Sequence, residues 1–373
     1  MSGPGLLRIG LSTTTTEPGL TGGRLDGIGV YSNALLRELP HAGCTVSPYS
    51  FGPAARLAVG QPMPRSLALA TVMDFLPGTR QRMDVDLYHA TDYRIVRMDC
   101  PVVATLHDAL PIAHPEWCNP RLRGLKNWAQ VNAARKADHV IAVSEFAIAE
   151  LVQCFGVDER RISVVPNGVD EAWLEPAPAA QVAGTLRSLG LREGYFLTVG
   201  TIQPRKNFAR LLEAYLGLPA NIRAQRQLVI VGAPGARSED VVSRIRAAQQ
   251  QGENVVWLNH LTSFDQLRHV YAGAGVFVFP SLYEGFGIPV VEAFGAGVPV
   301  IASNATSLPE VTAGAAIDVD PLSVSAIGSA MLELARDEAL RRRCVAAGTV
   351  RALQLTWRET ARKTAAVYRA LLK

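Results

Sequence analysis

The sequence is poor in the features that mark several protein classes. Its five cysteines, Cys44, Cys100, Cys118, Cys154 and Cys344, are scattered, odd in number and never spaced as C-x-x-C. That argues against a disulfide framework or a zinc site and fits a reducing cytoplasm. No apolar run approaches the roughly 20 residues that span a bilayer. The N-terminus has no basic stretch leading into an apolar one, so no signal peptide is expected. There is no short-period repeat, no nucleic-acid motif and no Asp-x-Asp pair in a convincing metal loop. Charge of one sign is in small excess only: net +4, pI near 8.9. This suits phosphate-bearing substrates or an anionic membrane surface and is diagnostic of neither. What is present is 373 residues, 48% hydrophobic and 19% charged. Those values fit a globular α/β protein, too long for one hydrophobic core and so expected to form two domains.

The most informative stretch is Glu284-Gly-Phe-Gly-Ile-Pro-Val-Val-Glu292. It follows Gly275-Val-Phe-Val-Phe-Pro280, an apolar run that reads as a buried parallel strand. Gly285 and Gly287 permit a tight turn. Pro289 suits the first turn of a helix running to Ala296. The pattern predicts strand, Gly-rich turn and helix, with the helix's unpaired N–H groups aimed at the turn, an arrangement that attracts anions and polar oxygens. Glu284 and Glu292 flank it. On these residues alone the segment is either a binding site at the carboxyl end of a strand or a turn common to many α/β proteins.

Strands and helices alternate along the first half, which predicts a doubly wound parallel sheet. Leu6 to Leu11 reads as the first strand and residues 12–26 as a loop. Gly27-Ile-Gly29 opens a helix over Val30 to Leu39. This Gly-rich turn either lets the backbone approach a ligand or is a plain connection. Val46 to Ser50 reads as a short strand, residues 53–64 as a loop, Ser66 to Phe75 as a helix and Asp86 to Ala90 as a strand. Arg80, Arg82, Arg94 and Arg97 either meet an anionic acceptor or stand solvated. Pro101 to Leu106 is a buried strand with His107 and Asp108 at its carboxyl end, where sites form in open sheets; the alternative is a histidine satisfied by nearby backbone. Trp117 to Lys136 carries Arg121, Arg123, Lys126, Arg135 and Lys136 among Leu122, Leu125, Trp128 and Val131. It reads as a basic amphipathic helix, either on a membrane surface or packed on the sheet. His139 to Val143 is a strand, Ser144 an N-cap, Phe146 to Phe155 a helix, and Ile162 to Asp170 a strand ending in an Asn167-Gly168 turn.

Trp173 to Ala183, rich in Pro and Ala, reads as an interdomain linker. Tyr195 to Gly200 begins a second set of strands, with Thr201-Ile-Gln-Pro-Arg-Lys-Asn207 before a helix over Phe208 to Leu216. Adjacent cations Arg205 and Lys206 at a helix start oppose its dipole, a conflict that a bound diphosphate removes. Gln227 to Gly232, Val255 to Leu258, Val298 to Ala302 and Ala315 to Val319 read as strands. Ser263 or Thr262 caps a helix over Phe264 to Ala272. Ser323 to Arg336, Glu338 to Thr349 and Trp357 to Leu372 read as helices.

The Glu284–Glu292 segment, the run Val-Gly-Thr-Ile-Gln-Pro-Arg-Lys-Asn ending at Asn207, and Val-Pro-Asn-Gly-Val-Asp ending at Asp170 together resemble the retaining glycosyltransferases of family GT4. The resemblance covers most of the chain, most strongly from Ile162 onward. It implies a GT-B fold, two Rossmann-like domains with an interdomain cleft. The expected division is 1–175 on the acceptor side, 176–356 for the nucleotide sugar, and a helix over 357–373 returning to the first domain. It implies that Gly27 and Gly29 lie near donor phosphate and acceptor. His107 would lie near the reacting sugar, with Asp108 as its partner or orienting the acceptor. Arg205 and Lys206 would bind the diphosphate. Thr201 stands where many members carry Arg, so Arg205 supplies that charge. The loop holding Leu261 would lie near the nucleobase. Glu284 would contact the sugar, the amides of Phe286, Gly287 and Ile288 would hold its oxygens, and Glu292 would accept from ribose hydroxyls.

The expected activity is therefore retaining transfer of a hexose to a saccharide or lipid-linked acceptor, without a metal or other cofactor, the donor phosphate taking the acceptor proton. The Pro-Arg-Lys-Asn variant resembles bacterial mannosyl- and rhamnosyltransferases of surface polysaccharide assembly, which favours GDP-mannose. A cytoplasmic location with peripheral contact at the inner membrane face fits the basic first half. A UDP-sugar donor, a sugar-nucleotide epimerase and a non-catalytic nucleotide-binding protein on the same fold are the rival readings.

Overall fold

The computed structural model describes residues 6–74, 76, 79–118, 123–261 and 263–373, the side chains of Arg123 and Leu125 excepted. The chain divides into two compact units. One comprises Met1–Pro115, Pro120–Gly168 and Thr356–Lys373; the other comprises Glu116–Asn119 and Val169–Leu355.

The first unit is built on seven parallel strands: β1 (Leu7–Ser12), β2 (Cys44–Ser50), β3 (Gln61–Pro62), β4 (Leu87–Ala90), β5 (Val102–Leu106), β6 (His139–Ala142) and β7 (Ile162–Val164), in the order β3-β2-β1-β4-β5-β6-β7. Every residue of β4 and β5 is buried, as strands covered on both faces require. The strand order reverses direction between β1 and β4, so the loops after these strands and after β5 leave the same edge of the sheet. The helix Trp357–Leu371 closes this unit. Its buried residues Trp357, Thr360, Ala361, Thr364, Ala365 and Tyr368 recur at helical spacing and pack against the helix Gly27–Glu38. Thr360 Oγ1 donates to the Pro166 carbonyl at 2.8 Å.

Two expectations change here. The loop read over residues 12–26 is organised by the buried Glu17, between a 3-10 turn (Thr14–Thr16) and a short helix (Pro18–Thr21). The Glu17 carboxylate accepts the N–H groups of Ala58, Val59 and Gly60 (2.6, 3.0 and 2.7 Å) and the Ser50 hydroxyl (2.7 Å). This clamp holds residues 58–60 just before β3, an edge strand read from sequence as loop. The basic helix is also shorter than 117–136. It runs Arg123–Ala134 after a 3-10 turn at Pro115–Trp117, with Trp128 exposed; Arg121, Leu122 and Phe75 lie outside the described residues, and the helix expected from Ser66 runs Leu67–Met73.

The second unit carries six parallel strands: β8 (Tyr195–Val199), β9 (Leu228–Val231), β10 (Val255–Leu258), β11 (Ala274–Phe279), β12 (Val300–Ser303) and β13 (Ile317–Val319), ordered β10-β9-β8-β11-β12-β13. Its order reverses between β8 and β11, the counterpart of β1 and β4. The linker expectation is corrected. Glu171–Leu174 forms a 3-10 turn that buries Trp173 edge-on to Tyr271 (centroids 4.9 Å apart), and Ala179–Ser188 is helical. Ala favours helix over linker once Val182 and Leu186 have a surface to cover. The helix Glu239–Gln250 was not read from sequence, although Glu239 and Asp240 in its first turn and buried Val241, Val242, Ile245 and Ala248 mark it. Ser263 caps Phe264–Ala272, its Oγ accepting Gln266 N–H at 3.3 Å; Thr262, the other candidate cap, lies outside the described residues.

Candidate functional site

In the second unit, β8 and β11 are paired neighbours, so the segments leaving their carboxyl ends emerge side by side. β8 leads into Pro204–Lys206, a single 3-10 turn. β11 leads into Glu284 and the helix Ile288–Gly295. Leu282 N–H donates to the Arg205 carbonyl at 2.7 Å and ties the two loops together. The topology thus brings together three residues singled out from sequence. Arg205 Nη1 donates to Glu284 Oε2 at 2.8 Å, and Lys206 Nζ to Glu284 Oε1 at 2.6 Å. All three are largely buried. Arg205 Nη1 also reaches the Tyr283 carbonyl (3.0 Å), and the Lys206 ammonium lies 4.7 Å from the Phe279 ring centre, within cation–π range. Burial pushes the Glu284 carboxyl up, but Lys206 and Arg205 outweigh it and hold it below the usual glutamate range.

The two cations do not open the following helix, contrary to the expectation from sequence. They precede the helix Phe208–Leu216, separated from it by Asn207, and Glu284 already supplies a counter-charge. Asn207 stands in the left-handed region, φ 61°, and is 4% exposed. Its Nδ2 donates to the carbonyls of Pro280 (2.9 Å) and Pro321 (2.7 Å), so one side chain pins the cationic turn to the loops after β11 and β13. Sequence reasoning assigned no role to Asn207. Its signal is its type, because Asn tolerates the left-handed region better than most residues.

The Gly-rich turn is fixed from the far side. Thr306 Oγ1 accepts Glu284 N–H at 3.1 Å, and Ser307 Oγ donates to the carbonyls of Glu284 and Phe286 at 2.9 and 3.2 Å. Neither residue was anticipated. Gly287 has φ 105°, and a Cβ there would lie 2.6 Å from Leu308 Cδ2, so only glycine fits. Among the described residues, the N–H groups of Phe286, Gly287 and Ile288 meet no backbone acceptor. Glu292 lies within the helix and accepts from the Tyr271 hydroxyl at 3.0 Å. Desolvation pushes its carboxyl up to about 7, partly offset by that hydrogen bond. Thr201 is exposed and Leu261 half-buried; among the described residues neither bonds to this cluster through its side chain.

In the first unit, His107 and Asp108 follow β5. His107 Nε2 lies 3.0 Å from the Thr91 carbonyl and so carries the proton, while Tyr31 packs edge-on to the ring at 4.9 Å. Burial holds the imidazole below its ordinary pKa, hence neutral near pH 7. Asp108 Oδ1 accepts from the Tyr93 hydroxyl (3.0 Å) and Leu110 N–H (3.1 Å). Gly27 and Gly29 lie in the first turn of Gly27–Glu38, where Asp26 Oδ1 accepts Gly29 N–H at 2.8 Å. A Cβ on Gly29 would lie 2.8 Å from the Thr15 carbonyl, whereas Gly27 faces open space. No group of three His, Cys, Asp or Glu side chains is placed to hold a metal ion, and no helix is long and apolar enough to cross a membrane, among the described residues.

Comparison with known proteins places this geometry in a family context. A model described as Glycosyltransferase Family 4 matches residues 25–173, and one described as Glycosyl transferases group 1 matches residues 188–351. The chain is 30% identical over 288 residues to an O-antigen chain mannosyltransferase B of Escherichia coli, covering 76% of this chain and 74% of that one. Its fold is similar to that of a sucrose-phosphate synthase from Thermosynechococcus elongatus (TM-score 0.74, 20% identity, 98% and 99% of the two chains). It is also similar to that of Anabaena HepE in complex with UDP and glucose (TM-score 0.73, 17% identity, 98% and 100%).

Proposed function

Because the chain belongs to the family 4 glycosyltransferases, with two Rossmann-like parallel-sheet units of the GT-B type, we propose that it transfers mannose from GDP-mannose to a saccharide or lipid-linked saccharide with retention of configuration. The observation that carries the reading is the meeting of Arg205, Lys206 and Glu284 beside the N-terminus of Ile288–Gly295. The anomeric C–O bond breaks and the nucleoside diphosphate leaves with the electron pair. Arg205 and Lys206 stabilise the charge that develops on it, the largest electrostatic demand of the step. The acceptor oxygen bonds to the same face of the sugar, and its proton passes to the departing phosphate oxygen. Glu284, held ionised by its two cations, accepts from donor sugar hydroxyls. The N–H groups of Phe286, Gly287 and Ile288 hold phosphate or sugar oxygens, and Glu292 accepts from ribose hydroxyls. Gly27 and Gly29 allow close approach of the ligand to the backbone. Neutral His107, whose Nδ1 faces no protein donor among the described residues, accepts from a hydroxyl of the reacting sugar, and Asp108 orients the acceptor. With leaving-group charge met by Arg and Lys, no metal is required.

The similarity to an O-antigen mannosyltransferase supports mannose as the transferred sugar. HepE, a fold neighbour described with UDP and glucose, favours a second reading in which the donor is a UDP-hexose. Thermal shift with GDP, UDP, dTDP and ADP separates them, since a ligand of the folded state raises the melting temperature by mass action. The expected result is a selective rise with GDP, mannose transfer from GDP-mannose that persists in EDTA, and loss of turnover by orders of magnitude in Lys206→Ala with the fold intact. A rise with UDP alone moves the reading to the UDP-hexose. Loss of transfer in EDTA refutes metal independence, and near-normal turnover of Lys206→Ala refutes the diphosphate role.

A further inference from the structure

The charged donor groups Arg205, Lys206 and Glu284 lie in the second unit, and the reaction also needs a place for the acceptor. The first unit contains a cavity of about 370 Å³ whose lining is mainly apolar. Ile28, Leu67, Ile95, Ala129 and Ala133 supply its apolar lining, contributed by the start of Gly27–Glu38, by Leu67–Met73, by the loop after β4 and by Arg123–Ala134. Polar groups converge on it. Lys126 is exposed and makes no ion pair among the described residues, Asp92 is paired with Arg94, and Gln130 Oε1 is buried without a hydrogen-bond partner among the described residues. An apolar cavity with a few polar groups is the usual form of a small-molecule site.

The cavity borders one first-unit segment already assigned to the reaction and is linked to the other through Tyr93. Ile28, between Gly27 and Gly29, lines it. Tyr93 also lines it and donates its hydroxyl to the Asp108 carboxylate and carbonyl. The loop carrying Asp92 and Tyr93 begins at Thr91, whose carbonyl receives His107. A molecule seated in this cavity therefore touches Tyr93, which holds Asp108, and Asp92, the neighbour of the residue whose carbonyl receives His107. Free sugars offer little apolar surface for such a lining.

We infer that this cavity binds the apolar aglycone of the acceptor, so that the protein acts on glycosides of an alkyl or lipid chain in preference to free saccharides. The inference rests on the glycosyltransferase reading and adds the acceptor class to it. Lys126 stands where an anionic linkage would pass.

Calorimetric titration of the full-length protein with octyl α-mannoside and with free mannose, without donor, tests this directly. Octyl mannoside is expected to bind at least tenfold more tightly than mannose. Ala129→Phe, which fills the cavity, is expected to abolish that margin while leaving the GDP thermal shift unchanged. Ala133→Leu serves the same purpose should the larger change impair folding. Equal affinity of the wild-type protein for the two ligands, or a margin that survives both filled variants, overturns the inference. An octyl mannosyl phosphate arm separates the two sources of such an aglycone. Tighter binding of the phosphate, lost in Lys126→Ala, marks a lipid-phosphate carrier, and equal binding marks a neutral glycolipid. Binding of octyl mannoside without any sugar transfer from GDP- or UDP-sugars would sink the transferase reading while leaving the cavity's ligand established.

Discussion

Glu284 and Glu292 belong to one motif, and their surroundings drive them in opposite directions. Glu284 is buried with Arg205 and Lys206 against its oxygens, so it stays ionised. Among the described residues Glu292 accepts from the Tyr271 hydroxyl alone, and desolvation pushes it up to about 7. A shift of that size corresponds to up to about 3 kcal/mol between the two protonation states. The sign follows from linkage. The folded-state value lies above the unfolded one, so the folded protein holds the extra proton between the two values. The stability associated with protonated Glu292 is complete below the unfolded glutamate pKa and is lost as pH rises through about 7. Glu292→Gln cannot ionise and can still accept from Tyr271. It should match the wild type near pH 4 and exceed it at pH 8 by up to about 3 kcal/mol. Urea unfolding of both proteins across this range checks it; parallel pH profiles would show that Glu292 titrates as an ordinary exposed carboxyl.

At the scale of the element, the turn Pro204–Lys206 carries the cations, and Asn207 determines where it sits. Asn207→Ala forces a Cβ residue to remain at φ 61° and strips donors from two loop carbonyls. Losing the two hydrogen bonds costs about 2 to 3 kcal/mol, and holding alanine left-handed adds about 1 kcal/mol. Asn207→Gly keeps the backbone geometry and loses only the bonds, so it should fall between wild type and Asn207→Ala in stability. Both should weaken the stabilisation by GDP, because Arg205 and Lys206 lose their anchor. If the alanine and glycine variants are equally stable, backbone strain at Asn207 contributes nothing. This element also shows what the sequence can and cannot reveal. The strand Ala274–Phe279, the turn and the helix Ile288–Gly295 were legible because apolar run, Gly and Pro act locally. The contact between Lys206 and Glu284 was not, because it spans 78 residues and arises only from β8 pairing with β11. The same holds for Thr306, Ser307 and the Glu17 clamp, whose partners are set by sheet order. Helix Ala179–Ser188 was misread because Pro and Ala look alike in a composition count and behave oppositely in a helix.

At the scale of the whole molecule, the chain's last helix belongs to its first unit, and the tie is polar as well as apolar. His89 of β4 lies between Tyr368 Oη, 2.6 Å from its Nδ1, and Thr105 Oγ1, 2.8 Å from its Nε2, with Tyr31 Oη a further 2.7 Å from Thr105. One consistent set of protons has Tyr368 donating to Nδ1 and Nε2–H donating to Thr105. That set requires a neutral ring, and burial pushes the pKa of His89 down to about 3, with neighbouring His107 adding to the shift. Here the folded value lies below the unfolded one, so the sign is opposite to that of Glu292. The stability is present above the unfolded histidine pKa and is lost as pH falls towards about 3. With an unfolded value of about 6.5, the loss between pH 7 and pH 5 is about 2 kcal/mol. Glutamine can accept from Tyr368 and donate to Thr105 without titrating. His89→Gln should therefore be less stable than wild type at pH 7, yet lose about 2 kcal/mol less on acidification to pH 5. Urea unfolding at the two pH values reads both quantities. Equal losses in the two proteins would mean that His89 takes up its proton while folded. The contact between residues 279 positions apart would then tolerate a charged imidazole, and the attachment of the C-terminal helix would not depend on the protonation of His89.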